Sequence, residues 1–495
     1  MSQTIDADFC IVGAGAGGAV VAAELAEGGA RVVVLEQGAR HDPDGFTARP
    51  PEMLARLYRD AGQTTTIGSP PILLPLGRGI GGTTLVNSGT CFRTPPRVLE
   101  RWSGEYGLEL DEAAMDACFQ RVERSLSVGE VTPELAGNNA AVARRGAERL
   151  GWSHGYLRRN ARGCVGSGVC VFGCPTSAKQ HTGITYMPRA ELAGARILTG
   201  ADVRELTRER SRVRGVLARM DDGSRLEVRA SEVVLACGAI HTPLLLARNR
   251  IGDASGQLGR NLSLHPATAA FALMDEQVNM ARGVPQSFYV DEFAGEGVIF
   301  ETVAGPPAYA AMSLPLRGEQ HSRAMASYPR LAQLGLMVSD SSRGRVQTLG
   351  DRPVIRYSLD DVDLARIRKG LQRIEQLFRA AGAREVYLPL PPGVAPSAAR
   401  ARDLRLMAFH PLGTARADAR PAHGVADGQL AVHGLRGLRI ADGSVVPSSL
   451  GVNPQMTIMA LATRLAFHLL GRPVPRESQA QAPNAEIATT VTPIR

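Results

Sequence analysis

The feature that most constrains this chain lies at its start. The apolar run at residues 9–12 (FCIV) meets the series Gly13-Ala14-Gly15-Ala16-Gly17-Gly18, and an alanine-rich stretch follows at 19–26. That order reads as strand, turn and helix. Gly13 permits the tight turn, Gly15 lets a pyrophosphate approach the backbone, and Gly18 lets the helix pack closely on the strand, with the helix N-terminus facing the phosphates. A second strand at 31–35 ends at Glu36, where a carboxylate can accept hydrogen bonds from ribose hydroxyls and disfavours a 2′-phosphate. The chain is therefore expected to open with a dinucleotide-binding unit, and this motif alone leaves FAD and NAD both open.

A length of 495 residues implies two or three structural units, and 44% hydrophobic with 21% charged residues describes a globular protein rather than a disordered one. The formal charge of +8 does not point to nucleic acid, because Lys179 and Lys369 are the only lysines and the arginines are scattered without a basic run. The N-terminal MSQTIDAD has neither a basic nor an apolar signal region, so a cytoplasmic location is expected. No apolar stretch reaches the roughly 18 residues of a membrane span; the one near Ala460 is broken by Arg464 and His468. Seven cysteines in so long a chain do not read as a secreted disulfide framework.

Further blocks follow in order. Residues 77–93 (GRGIGGTTLVNSGTCFR) form a loop whose backbone amides could cradle an anion or lie against a flat ring. Residues 233–246 (VVLACGAIHTPLLL) read as a strand, a glycine turn and a helix. Towards the C-terminus come 409–414 (FHPLGT), 438–444 (LRIADGS) and 451–457 (GVNPQMT). With these blocks the chain resembles the glucose-methanol-choline (GMC) family of FAD oxidoreductases from Asp8 to about Gly471. It departs from the second signature at Asn249-Arg250, where the family has a Ser-Gly pair.

The resemblance implies FAD and the oxidation of a small-molecule alcohol to an aldehyde or ketone. Hydride transfer to the flavin N5 needs a group that takes the hydroxyl proton, and a histidine suits that role near neutral pH. His410 matches the family position and is the expected base. Asn453 matches the second member of the family's pair; its amide can position the substrate oxygen. Asn453 is also expected to cap a helix with Pro454 at its first position, aiming the positive helix end at the flavin. Gly81, Gly82, Thr83, Asn87, Asp442 and Gly443 match positions that approach FAD, and Val203 matches one whose backbone meets the adenine. His265, His321, His423, His433 and His468 read as ordinary structural histidines.

Cys164, Cys170 and Cys174, spaced C-x5-C-x3-C, could ligate metal, and their spacing is similar to that of bacterial FAD glucose dehydrogenases that hold an iron–sulfur cluster. The other reading is a loop of free thiols over the flavin. With a cluster the chain would be a dehydrogenase passing electrons to a partner; without one, oxygen or another soluble acceptor could reoxidise the flavin. A lyase of the same fold and an electron-transfer component are the rival classes.

The expected fold is α/β: a Rossmann-like FAD-binding domain assembled from 1–95, 180–265 and 405–472, and an antiparallel-sheet substrate-binding domain over 266–404. A cap or lid with the cysteine-rich loop is expected over 96–179, and a flexible tail over 473–495. Strands are expected at 266–274, 297–303 and 333–339 and a helix at 361–381. Phe271, Met274, Met280, Phe288, Tyr289, Met312 and Met325 are consistent with a bulky apolar alcohol, or only with a core.

Overall fold

The computed structural model describes residues 2–350 and 352–475, so most of the expected tail lies outside the described residues. The first strand, Ser2–Val12, is longer than its apolar run, because its polar first half also pairs in parallel with Arg225–Leu235. The helix behind the glycine turn, Ala16–Glu27, is almost wholly buried. It can be so because Gly17 and Gly18 carry no side chain: a Cβ on Gly17 would overlap the Ala441 carbonyl oxygen, and one on Gly18 would overlap that of Gly13. The helix is thereby pinned between the sheet and the C-terminal block.

The sheet has seven strands, in the order Arg196–Leu198, Val32–Leu35, Ser2–Val12, Arg225–Leu235, Arg212–Met220, Ala201–Glu209, with Leu438–Ile440 alongside the end of Arg225–Leu235. Pairing is parallel from Arg196–Leu198 across to Arg225–Leu235 and antiparallel beyond it. The strands therefore come from three distant stretches of sequence. The last helix, Gln455–Leu469, packs on Ala16–Glu27 and on Glu112–Ser125 over the same core.

A second sheet of eight strands is mostly antiparallel and is built around Ala267–Leu273, Leu331–Val338, Val298–Thr302 and Phe288–Val290. The first three coincide closely with the strands expected from sequence. Helix Asp361–Ala380 lies across it: Asp360 accepts the Asp363 N–H as a cap, and Ile367, Leu371, Ile374 and Phe378 recur at helical spacing on the buried face. Segment 96–179 is divided between the two cores. Trp102, Cys118 and Phe119 bury in the first, while helix Pro133–Leu150 contributes Ala140, Ala143 and Ala147 to the second. Among the described residues no helix is long and apolar enough to cross a membrane.

Candidate active site

One continuous cavity of about 840 Å³ runs between the two sheets, at the upper end of the range for ligand sites. Of the residues singled out from sequence, Gly13, Gly15, Glu36, Gly82, Thr83, Asn87, Val203, His410, Asp442, Gly443, Asn453 and Pro454 line it. Gly18 and Gly81 stand behind the wall. Gly81 is left-handed at φ 105° and donates its N–H to the Ala14 carbonyl at 3.0 Å, which ties the second glycine loop to the first.

The glycines divide by what they face. A Cβ on Gly13 would strike the Ala236 carbonyl, whereas one on Gly15 would meet nothing nearer than Gly82 Cα at 3.9 Å and would project into the cavity. Glu36 is buried, and each of its oxygens accepts a main-chain N–H, from Ala14 at 2.9 Å and from Gly38 at 2.8 Å. Burial raises its pKa, opposed by those bonds and by Arg59. A carboxylate oxygen has a second lone pair, so both remain able to accept from a ribose. Glu36→Gln turns one acceptor into a donor against a fixed N–H, and the expected result is FAD affinity lower by about 10-fold or more, read as flavin absorbance per protein after gel filtration.

Asp442 joins three blocks: its Oδ2 accepts from Thr242 Oγ1 at 2.5 Å and Gly238 N–H at 2.9 Å, and its Oδ1 accepts from Ser444 N–H at 2.8 Å. Asn87 donates to Gln455 Oε1 at the start of the last helix. Sequence reasoning missed Arg59, Arg78 and Arg248, which line the same cavity and bring cationic charge suited to a diphosphate, and His241, which lines it as a neutral ring because burial and those arginines hold its pKa down to about 3.

His410 is held by a neighbour that the sequence did not single out. Its Nδ1 lies 3.2 Å from Nδ1 of His265, and the rings meet edge to face. His265 Nε2 accepts the Leu450 N–H at 3.0 Å and the Gly451 N–H at 3.2 Å. Burial holds the His265 pKa down to about 3 and keeps that ring neutral. A neutral imidazole that accepts at Nε2 carries its proton on Nδ1. His265 therefore donates to His410 Nδ1, and the His410 proton sits on Nε2, the nitrogen left for the cavity. Burial, with His265 beside it, holds the His410 pKa well below its ordinary value.

One expectation needs correction. Asn453 does not cap the last helix: the helix begins at Gln455, the cap position is Pro454, and no side chain serves it. Asn453 Oδ1 is instead buried without a protein partner, as are His241 Nε2, Glu301 Oε1 and Gln333 Oε1 on the same cavity wall. Buried polar atoms are normally satisfied, so these orphans belong to a ligand's contacts. The apolar residues named from sequence are mostly core: Phe271, Met274, Met280 and Phe288 are buried away from the cavity, and of that group only Met312 lines it. They face the wrong side of their strands and loops, which alternation alone could not reveal.

Cys164, Cys170 and Cys174 are free thiols, the last two of them buried. Among the described residues no three His, Cys, Asp or Glu side chains stand close enough to hold a metal ion. Instead Cys170 Sγ accepts from Arg159 Nη2 at 3.2 Å, and Cys174 Sγ accepts from the Lys179 N–H at 3.4 Å. Lys179 is buried in the loop, its ammonium donating to the carbonyls of Leu85, Asn87 and Cys170.

Comparison with known proteins agrees with this geometry. Residues 54–267 and 340–462 match the N- and C-terminal profiles described as GMC oxidoreductase, and residues 11–52 match an NAD(P)-binding Rossmann-like domain. An uncharacterized GMC-type oxidoreductase of Mycobacterium tuberculosis is 40% identical over 482 residues, covering 94% of this chain and 76% of that relative. The chain is a GMC oxidoreductase. A long-chain-alcohol oxidase of Arabidopsis thaliana is 29% identical over 92% of this chain and 66% of its own length. Among solved structures, pyridoxine 4-oxidase from Mesorbium loti superposes with a TM-score of 0.73 at 20% identity, covering 93% of this chain and 98% of that one. GMC oxidoreductases are FAD enzymes, and the open face of Gly15, the orphaned polar atoms and the arginines fit that cofactor.

Proposed function

We propose that this GMC oxidoreductase oxidises an alcohol to an aldehyde or ketone, with the alcohol oxygen held between His410 and Asn453. The observation that carries the reading is the pairing of a neutral histidine, whose second ring nitrogen is free, with an amide whose Oδ1 has no protein partner. Both lie in the cavity that the glycine loops open. FAD bound there supplies the acceptor for the hydride that leaves the alcohol carbon. The N-terminus of Gln455–Leu469 reaches the same space through Pro454 and Gln455, and its partial positive charge favours negative charge on the part of the cofactor nearest to it.

The FAD unit is assembled from residues 1–95, 180–265 and 405–472, and the substrate unit spans 266–404. The substrate is a bulky apolar alcohol. Leu54, Leu73, Phe172, Tyr309 and Met312 supply an apolar wall, and the similarity to a long-chain-alcohol oxidase points the same way. With arginine and lysine donors filling the cysteine loop, oxygen or another soluble acceptor returns the flavin to its oxidised state.

An anaerobic absorbance spectrum of the purified protein, before and after a panel of primary and secondary alcohols of increasing size, tests the reading. Bleaching of the flavin bands is expected, fastest with long aliphatic or aryl alcohols. Bands that no alcohol bleaches would overturn it and bring a lyase or an electron-transfer role forward.

A further inference from the structure

Lys179 is one of only two lysines in the chain, and it is 1% exposed. Its ammonium donates to three main-chain carbonyls, those of Asn87 at 2.7 Å, Cys170 at 2.7 Å and Leu85 at 2.9 Å, so all three of its protons are taken. Beside it Arg159, 2% exposed, donates from Nε to the Ser88 carbonyl at 2.9 Å and from Nη2 to Cys170 Sγ at 3.2 Å. Two buried cations thus hold consecutive carbonyls of the second glycine loop. The groups that act electrostatically on Lys179 are Arg159 and the thiols of Cys170 and Cys174, with no carboxylate among them. Arg158, next to Arg159 in sequence, is by contrast paired with Glu123. Among the described residues neither Lys179 nor Arg159 has a carboxylate partner. Burial lowers the Lys179 pKa to about 8, which leaves it charged at pH 7. Carbonyls solvate a cation without neutralising it, and a buried net charge is costly unless an anion offsets it.

The loop that these cations grip is a wall of the cavity. At one end Gly82 faces Gly15 of the first glycine turn, and further on Asn87, Ser88, Gly89 and Thr90 line the wall. Asn87 is bonded to Gln455, two residues beyond Asn453, so this stretch stands at the end of the cavity where the alcohol is read to react. In a trans peptide the C=O and N–H point in opposite directions. Fixing the Asn87 carbonyl on Lys179 therefore turns the Ser88 N–H away from the lysine. The N–H groups on either side are spent, that of Asn87 on Thr83 O at 3.0 Å and that of Gly89 on Asn87 Oδ1 at 3.1 Å. The Ser88 N–H has no acceptor among the described residues.

We propose that Lys179 and Arg159 are positioning residues that raise the reduction potential of the bound flavin, their uncompensated charge being relayed to the cavity by the peptide between Asn87 and Ser88. The proposal rests on the alcohol-oxidation reading. The hydride that leaves the alcohol carbon carries two electrons and adds one unit of negative charge to the flavin, and the two cations offset that charge without gaining or losing a proton.

The midpoint potential of the bound flavin, read at pH 7 by equilibrating the holoenzyme with reference dyes in the absence of oxygen, tests this without any alcohol. Lys179→Met and Arg159→Gln should each lower the ratio of reduced to oxidised flavin at a given ambient potential by about tenfold, a midpoint about 30 mV more negative for a two-electron couple. Arg159→Lys keeps the charge and should stay close to the natural chain. Lys179 also braces the loop, so if Lys179→Met does not fold, the Arg159 pair decides: Gln keeps a donor for the Ser88 carbonyl and loses only the charge. An unchanged midpoint in Arg159→Gln would overturn the proposal. So would a midpoint in Arg159→Lys as low as that of Arg159→Gln, which would make shape rather than charge the cause. A natural chain whose flavin no alcohol bleaches would overturn the oxidation reading, a separate outcome that leaves these midpoints measurable.

Discussion

Flavin reduction by alcohol falls by about 100- to 1,000-fold in His410→Ala, while FAD content and melting temperature stay close to those of the natural chain. The size follows from what is removed: the one ring nitrogen of His410 left to face the substrate, since Nδ1 is taken by His265. FAD retention follows from position, since the blocks expected to hold the cofactor are the glycine loops, Glu36 and Asp442, none of which bonds to His410. The rate is checked by anaerobic stopped-flow absorbance, with flavin content measured on the same sample. His410→Ala that reduces its flavin at the natural rate would remove this residue from the chemistry altogether. A variant that loses FAD would instead make it a structural support.

Substituting the glycines of the first turn should separate folding from cofactor binding. Gly17→Ala places a methyl group into the Ala441 carbonyl, and both partners are backbone in the packed interior, so neither can yield by rotation. The expected cost is about 3 kcal/mol or more, at the upper end for overpacking, and is measured by chemical denaturation of the apo-protein. Gly15→Ala projects its methyl into the cavity, where only Gly82 Cα approaches, at 3.9 Å. Its folded state should be nearly unaffected, and the overpacking penalty, about 1–3 kcal/mol, should fall on FAD binding instead. Equal losses of stability in both variants would contradict this division of labour between glycines two positions apart.

The reading of the cavity wall depends on atoms that lack a protein partner. Asn453 Oδ1 and Glu301 Oε1 are buried polar atoms, and leaving such atoms unsatisfied costs free energy in the empty fold. Sequence carried one signal for Glu301, a single charge in the run GVIFETV, but a strand pattern alone assigns such a residue to the solvent side as readily as to a cavity.

Much of the molecule was readable from the chain alone, for definite reasons. Local spacing specifies local structure, so the glycine turn, the second-sheet strands and helix Asp361–Ala380 appear close to where period and capping place them. Residue type specifies capacity, so Glu36, His410, Asn453 and Asp442 could be named as groups able to bind or react, and all of them line one cavity. What only the tertiary structure decided is direction and company. It set His265 against His410 across 145 positions of sequence, fixing which ring nitrogen holds the proton. It moved the cap of the last helix to Pro454 and left Asn453 Oδ1 without a protein partner, it turned most of the apolar candidates into core, and it set Arg159 against Cys170 Sγ. A proton's location and a side chain's exposure depend on neighbours brought by long-range packing, and no pattern within a few residues encodes them.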